Sequence, residues 1–258
     1  DTDSADADIL GARQAVWTRY WASGAVHSFG DSGGGRYQGP IAAYWRRQFA
    51  HMRAGQRMLD LATGNGALPR LLIDARPGLD VSIDAVDLAA VEPAWTASLP
   101  AETRRRLRFH SGVQVEALPF ASGSHHLVTS QYGVEYSDLA RAVPEVVRVA
   151  VPGGHLALLV HVAGSRPVAL AGVELSHLDW LLGPDDGLMA AAADLLEPLG
   201  RAATPQGRAA LAVDAQASRI RDRFNAAQDT LKRRVEASSD GADILLESQA
   251  AVGAALSL

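Results

Sequence analysis

The chain contains no cysteine. Disulfides, thiolate metal sites and a cysteine nucleophile are therefore excluded. Long apolar runs are also missing, so no membrane-spanning helix is expected, and no basic segment followed by an apolar core opens the chain. Nor is there a large excess of charge of one sign: the net charge is −5 and the pI about 5.9. Lys and Arg are scattered apart from Arg104-Arg105-Arg106 and Lys232-Arg233-Arg234. Each triplet reads as a solvated helix face rather than a phosphate-binding patch. Neither a nucleic-acid nor a membrane partner is implied, and a soluble cytoplasmic protein is the expectation. The first residue is Asp1 rather than Met, which points to a missing N-terminal piece.

With 258 residues, the chain can bury about three quarters of its unfolded surface as one domain, or as one domain with an appendage. The rest of the chain is organised around Met58-Leu59-Asp60-Leu61-Ala62-Thr63-Gly64-Asn65-Gly66-Ala67. An apolar run ends in an acid, passes through two glycines and enters a helical pattern at Leu68, Leu71, Leu72 and Ile73, which reads as strand, tight turn and helix. Without a Cβ, Gly64 and Gly66 let the backbone take positive φ and approach a ligand, with the free N–H groups of the following helix beside it. A dinucleotide-binding turn would continue as G-x-G-x-x-G with a phosphate at the helix N-terminus. Here the third glycine position is Pro69. Proline fits the first turn of a helix but not close helix-to-strand packing, so a ligand without phosphates is favoured over a nicotinamide dinucleotide.

The stretch resembles motif I of the class I S-adenosylmethionine-dependent methyltransferases, with Asp60, Ala62, Gly64 and Gly66 at the patterned positions. Ala62 stands where the motif usually has its first glycine, as in the "D-x-A-T-G-x-G" form of the ubiquinone/menaquinone-biosynthesis type. Further matches follow in order. The β-branched run from Val81 closes at Asp87, which lies 21 residues beyond Gly66; a carboxylate there, at the end of a second strand, accepts both ribose hydroxyls. Asp84, three residues earlier, is its competitor. Gly112 to Phe120 is similar to the family's "G-D-a-e-x-L-P-F", with Gln114 or Val113 where an Asp normally accepts the adenine amino hydrogens. Glu145, Arg148, Val149 and Pro152-Gly153-Gly154 resemble "E-x-x-R-V-l-x-P-G-G". The resemblance spans about residues 57 to 161. It implies an α/β fold: a Rossmann-like doubly wound, mostly parallel sheet of order 3-2-1-4-5, holding S-adenosyl-L-methionine. The cofactor contacts so implied are Asp60, Ala62, Gly64, Asn65, Gly66, Asp87, Leu88, Gln114, Val115, Gln131, Tyr132 and Tyr37.

Three segments are expected: a helical cap at 1–55, the cofactor-binding core at 56–165 and a helical region at 166–258. Residues 1 to 8 read as frayed. A helix from Ile9 would place Ile9, Val16, Trp17, Tyr20 and Trp21 on one face, and a second, opened by Pro40, would do the same for Ile41, Tyr44, Trp45, Phe49 and Met52. The glycine-rich segment between them, with His27, Phe29 and Tyr37, reads as a mobile loop. The early aromatics either pack these helices onto the sheet or form a lid hinged on that loop. A helix is expected over Val91–Arg106 and a strand near Leu107–His110. Adjacent His125 and His126 would point to opposite faces of a strand and so not chelate one metal. Beyond 165 no strand is expected, so the family's last two antiparallel strands are not visible. Val213, Ala217, Ile220, Phe224, Ala227 and Leu231 instead make a seam for a partner helix, with Asp243–Leu256 in that role.

Methyl transfer requires the nucleophile, methyl and sulfur to be held in line with water excluded, and in some cases a base. His161, at the expected end of the fifth strand, is the first candidate, followed by His27, Tyr132, Glu135 and Tyr136; a strand-end histidine bonded to backbone is the alternative for His161. The expected function is methylation of an O, C or N atom of a small-molecule acceptor, with a homodimer through the C-terminal helices. The alternative is a cofactor-binding protein of this fold acting as a non-catalytic partner module.

Overall fold

The structure, a computed structural model, describes residues 2–26 and 37–257, with side chains from Asp8 onward. His27 and most of the glycine-rich segment therefore lie outside the described residues. The chain forms two compact units, Asp1–Val160 and His161–Leu258.

The first unit holds α1 (Thr2–Ala22), α2 (Gly39–Ala50), β1 (Arg57–Leu61), α3 (Ala67–Ala75), β2 (Ser82–Asp87), α4 (Ala101–Arg106), β3 (Leu107–Ser111), β4 (His125–Gln131), α5 (Leu139–Val149) and β5 (Ala150–Leu159). Its five strands are all parallel, in the order β3-β2-β1-β4-β5. The two neighbours of β1 are β2 and β4, so strand order reverses there and a crevice opens beyond the carboxyl ends of these strands. Both faces of the central strands are covered, which is why β1 reads as a continuous apolar run rather than an alternating one. One face buries Met58, Ile83 and Leu127 against Trp45, Phe49, Leu68 and Leu72. The other buries Leu59, Leu61, Val86 and Val128 against Val146 and Val149 of α5.

Several expectations are corrected. Residues 2 to 8, expected to be frayed, belong to α1. Val91–Arg106 is not one helix: a 3₁₀ turn at Ala94–Ser98 and the short α4 replace it. Pro93 and Pro100 each precede one of these pieces, and a proline inside a helix removes a donor and clashes with the preceding turn. β5 stops at Leu159 rather than His161, because its partner β4 ends at Gln131, the residue paired with Leu159. On α1, Ile9 and Val16 are exposed; the side facing the crevice carries Leu10, Arg13, Trp17 and Trp21.

The second unit is helical, with α6 (Arg166–Leu181), α7 (Leu188–Ala202), α8 (Pro205–Leu211), α9 (Ala215–Ala237) and α10 (Asp243–Leu256), and no strand occurs among its described residues. Leu181, Leu188, Ala191, Leu231 and Leu245 are buried together in its core. Thus α9 uses Ala227 and Leu231 as expected and α10 shares their cluster, but α6 and α7 supply as much of it. Val213 precedes α9 and is 87% exposed.

Candidate functional site

The turn after β1 is built by three residues of positive φ: Ala62 (50°), Gly64 (53°) and Gly66 (77°). Gly66 then opens α3, whose first turn buries Leu68 and Pro69. A Cβ on Gly66 would collide with the Phe109 ring. Alanine at 62 is accommodated from across the sheet: a Cβ built on Gly133 would overlap that of Ala62, so Gly133 makes the room that Ala62 takes. Tyr132, just before it, also holds a positive φ of 53°. Two non-glycine residues in the left-handed region, one on each side of the crevice, are strain concentrated where a ligand would sit.

Asp87 points at this elbow. Its Oδ2 accepts the Gly64 N–H at 2.7 Å and its Oδ1 accepts the Ala89 N–H at 2.8 Å. Burial pushes its carboxyl pKa upward, and these two N–H donors oppose the shift. Asp84, the competitor, is engaged elsewhere: it binds Arg57 Nη2 at 2.6 Å, His110 Nε2 at 2.9 Å and His125 Nε2 at 3.2 Å. Although burial opposes it, these three partners hold its pKa well below the usual carboxylate range. His125 is fully buried, while His126 on the opposite face accepts the Arg57 N–H at Nδ1. No group of three or more His, Asp and Glu among the described residues is arranged to hold a metal.

Asp60, one strand over, is buried and receives Thr63 Oγ1 at 2.6 Å and Thr129 Oγ1 at 2.7 Å. Burial raises its pKa to about 7, against the effect of those two hydroxyls. Tyr37 is hydrogen-bonded to Gln131 and lies near Asp60, and burial raises its phenol pKa. Gln131 Oε1 also accepts the Trp45 indole N–H.

A cavity of about 90 Å³ flanks Asp87 and is lined by Ala62, Leu88, Gln114, Val115 and Tyr132 among others. The segment behind it is anchored by the Glu145–Arg148 pair: Glu145 Oε2 accepts Leu118 N at 2.9 Å, and Arg148 donates to Phe120 O at 2.7 Å and Leu118 O at 3.0 Å. Of the expected cofactor residues, Ala62, Asp87, Leu88, Gln114, Val115 and Tyr132 meet at this cavity. Gly64, Asn65 and Gly66 form the adjoining elbow, while Asp60, Gln131 and Tyr37 group at the ends of β1 and β4. Glu135 follows in a 3₁₀ turn, Val134–Tyr136, and does not line the cavity. His161 begins the second unit.

Of the α1 face, sequence reasoning placed Trp17 and Trp21 but missed Leu10 and Arg13. The indole of Trp21 lies directly over Gly64, where a Cβ would overlap it. Trp17 stacks on Trp21 with centroids 6.0 Å apart and meets Tyr136 edge-on at 5.9 Å, and Arg13 donates to Tyr136 O. Asn65 ties the end of this helix down, its Nδ2 donating to Trp21 O at 2.8 Å and Ala25 O at 2.7 Å.

Residues 58–154 match the family model described as "Methyltransferase domain". The chain is 32% identical over 120 residues to the ubiquinone/menaquinone biosynthesis C-methyltransferase UbiE of Legionella pneumophila, covering 45% of this chain and 48% of that one. It is 37% identical over 120 residues to the demethylmenaquinone methyltransferase of Thermus thermophilus, covering 45% and 53%. Among solved structures, the YcgJ protein of Bacillus subtilis is 27% identical, covering 52% of this chain and 58% of that one, with a TM-score of 0.41. The chain spans about half the length of the curated relatives it matches. The elbow, the acid of the second strand and the Pro-Gly-Gly turn all lie within the matched residues 58–154, so this part of the first unit is similar to a methyltransferase domain.

Proposed function

We propose that this protein transfers the methyl group of S-adenosylmethionine to an O, C or N atom of a small molecule. The observation that carries this reading is the Asp87 carboxylate, bonded to the Gly64 N–H at 2.7 Å and facing a cavity that Gln114 and Val115 also line. Each carboxylate oxygen has a second lone pair with which to accept a ribose hydroxyl. The Gln114 amide can offer its carbonyl to an adenine amino group, and glycine at 64 and 66 lets backbone approach the sulfonium half of the ligand. When bound, the cofactor supplies a methyl carbon already activated by the sulfonium. The chain's own task is alignment and exclusion of water. Tyr132 at the cavity holds its proton, because burial and then Glu135 raise its phenol pKa; it serves as a donor that orients the acceptor.

Trp21 covers Gly64, so α1 acts as a lid that withdraws to admit the cofactor. The second reading is a protein that binds the cofactor at this same crevice without transferring the methyl group and works as a partner module. In either reading the second unit is the dimerisation segment, since α6 and α7 leave Leu175, Leu182 and Leu196 exposed. Calorimetric titration with S-adenosylhomocysteine and with NAD is the first test. Binding of the former alone supports both readings, and binding of neither overturns both. Transfer of radiolabel from the cofactor to a metabolite extract then establishes the reaction, and sedimentation velocity checks the dimer.

A further inference from the structure

The opposite end of the sheet from the elbow carries a second cavity, of about 210 Å³, that the methyltransferase reading does not use. It lies among the end of α2, the loop into β1 and the amino ends of β4 and β5, and its wall includes His51, Arg53, His126, His155 and Gln48. No carboxylate contributes to that wall, in a chain whose net charge is −5. The Arg53 guanidinium makes no ion pair or hydrogen bond among the described residues. The His51 and His155 rings stack on each other with centroids 6.1 Å apart. His126 accepts the Arg57 N–H at Nδ1, which fixes its neutral tautomer with the proton on Nε2, a donor. The carbonyl end of α2, which would otherwise repel an anion, is covered by Arg76, whose Nη1 donates to Phe49 O and Ala50 O.

The opening itself is a feature of the backbone. β4 and β5 lose register between His125 and Leu127, where Val151–Gly154 loop out. Gly153 takes a φ of 74°, and a Cβ on Gly154 would lie 2.9 Å from Val151 O and 3.3 Å from His126 O. Bulges of this kind recur beside functional sites.

We propose that this cavity binds a phosphate group, free or as a small monoester, with Arg53 as its bidentate partner and His51, His126 and His155 as further donors. A planar carboxylate would be satisfied by Arg53 alone. Donors arriving from separate elements around one space match the oxygens of a tetrahedral anion instead. The group is distinct from the elbow, where Pro69 stands against a phosphate ligand, and the proposal does not depend on methyl transfer.

Calorimetry and thermal unfolding of the full chain, at ionic strength held constant with chloride, test it with inorganic phosphate, glycerol phosphate and acetate. Saturable binding and stabilisation by inorganic phosphate are expected, and Arg53→Gln or His155→Gln, both at exposed positions, should each weaken binding about tenfold or more. Equal binding of glycerol phosphate identifies an ester as the natural source, whereas binding of inorganic phosphate alone identifies the free ion. Stabilisation by acetate as strong as by phosphate, a response that follows ionic strength only, or variants that bind phosphate like the parent would each overturn the proposal.

Discussion

If α1 is a lid, its latch is Asn65, and removing the latch should make cofactor binding tighter rather than weaker. Asn65 is 5% exposed and donates both of its amide hydrogens to α1 and the residues after it, at Trp21 O and Ala25 O. Each such bond contributes about 0.5–1.5 kcal/mol net, so Asn65→Ala weakens the closed state by about 1–3 kcal/mol. A closed state of that added stability lowers the open population about 5- to 150-fold, and apparent affinity falls with the fraction that is open. The variant should therefore bind S-adenosylhomocysteine more tightly by a factor within that range, while its unfolding temperature falls by a few degrees. Calorimetry gives the affinity. Emission from the stacked Trp17–Trp21 pair reports the opening independently, because that stack sits on the moving helix. A variant of lower melting temperature with parental affinity would mean that the latch exists but does not gate the crevice. Weaker binding at unchanged stability would mean that Asn65 touches the ligand. Either result refutes the lid.

The two acids of β2 should separate cleanly: Asp87→Asn lowers affinity for S-adenosylhomocysteine about tenfold or more, whereas Asp84→Asn leaves it unchanged and costs about 1–3 kcal/mol of stability by loosening the contacts to buried His125. Chemical denaturation read beside the same titration distinguishes them. Gly133→Ala should destabilise by about 1–3 kcal/mol through overlap with the Ala62 Cβ, and adding Ala62→Gly should restore most of the loss; a double variant no more stable than Gly133→Ala alone would show that the overlap is not the cause. Asp60, with its pKa raised to about 7, favours the native state while protonated; its contribution is complete below the ordinary carboxylate range and is lost as pH rises through about 7. Asp60→Asn should flatten stability over that window, because Thr129 can turn its hydroxyl to Leu59 O and accept an amide hydrogen. Melting curves of both proteins across pH give the comparison.

What was legible in the sequence was local or carried by a motif. The turn from Leu61 to Ala67 follows from glycines that must take positive φ, and its neighbours in the chain decide it. Asp87 was distinguishable from Asp84 by spacing, and the structure supplies the physical reason: Asp84 is bound by Arg57, His110 and His125, leaving Asp87 to face the elbow. The break in Val91–Arg106 is written in Pro93 and Pro100, each of which lacks a helix donor. The face of α1 was legible only in part, at Trp17 and Trp21. Arg13 interrupts its apolar stripe, and the surface it covers is assembled from the elbow and the turn after β4, 44 and 40 residues away in the chain for the two Asn65 bonds and 123 for the Arg13 contact. An amphipathic pattern shows which side of a helix avoids water only when the opposing surface is apolar. Here polar bonds run both ways across the contact: Arg13 of α1 donates to Tyr136 O, and Asn65 of the elbow donates to Trp21 O and Ala25 O.

The same distribution bears on why Ala62 is tolerated where the resembled motif usually has glycine. Ala62 in the left-handed region costs on the order of 1 kcal/mol relative to glycine, and Tyr132 adds a comparable amount. Neither residue is forced there by the strand it ends: β1 and β4 are in register through Leu61 and Ser130. The strain begins only past the last paired residues, at the crevice. Gly133 removes the steric part of the cost for Ala62 but leaves the backbone part in place. Strain retained at both walls of one cavity, beneath a helix held by two hydrogen bonds and an indole, raises the free energy of the empty crevice relative to a filled one. A ligand able to replace the Trp21 ring over Gly64 and to bond Asp87 would then relax the walls as it binds, so Ala62→Gly, by relaxing them in advance, should stabilise the free protein more than it stabilises the complex.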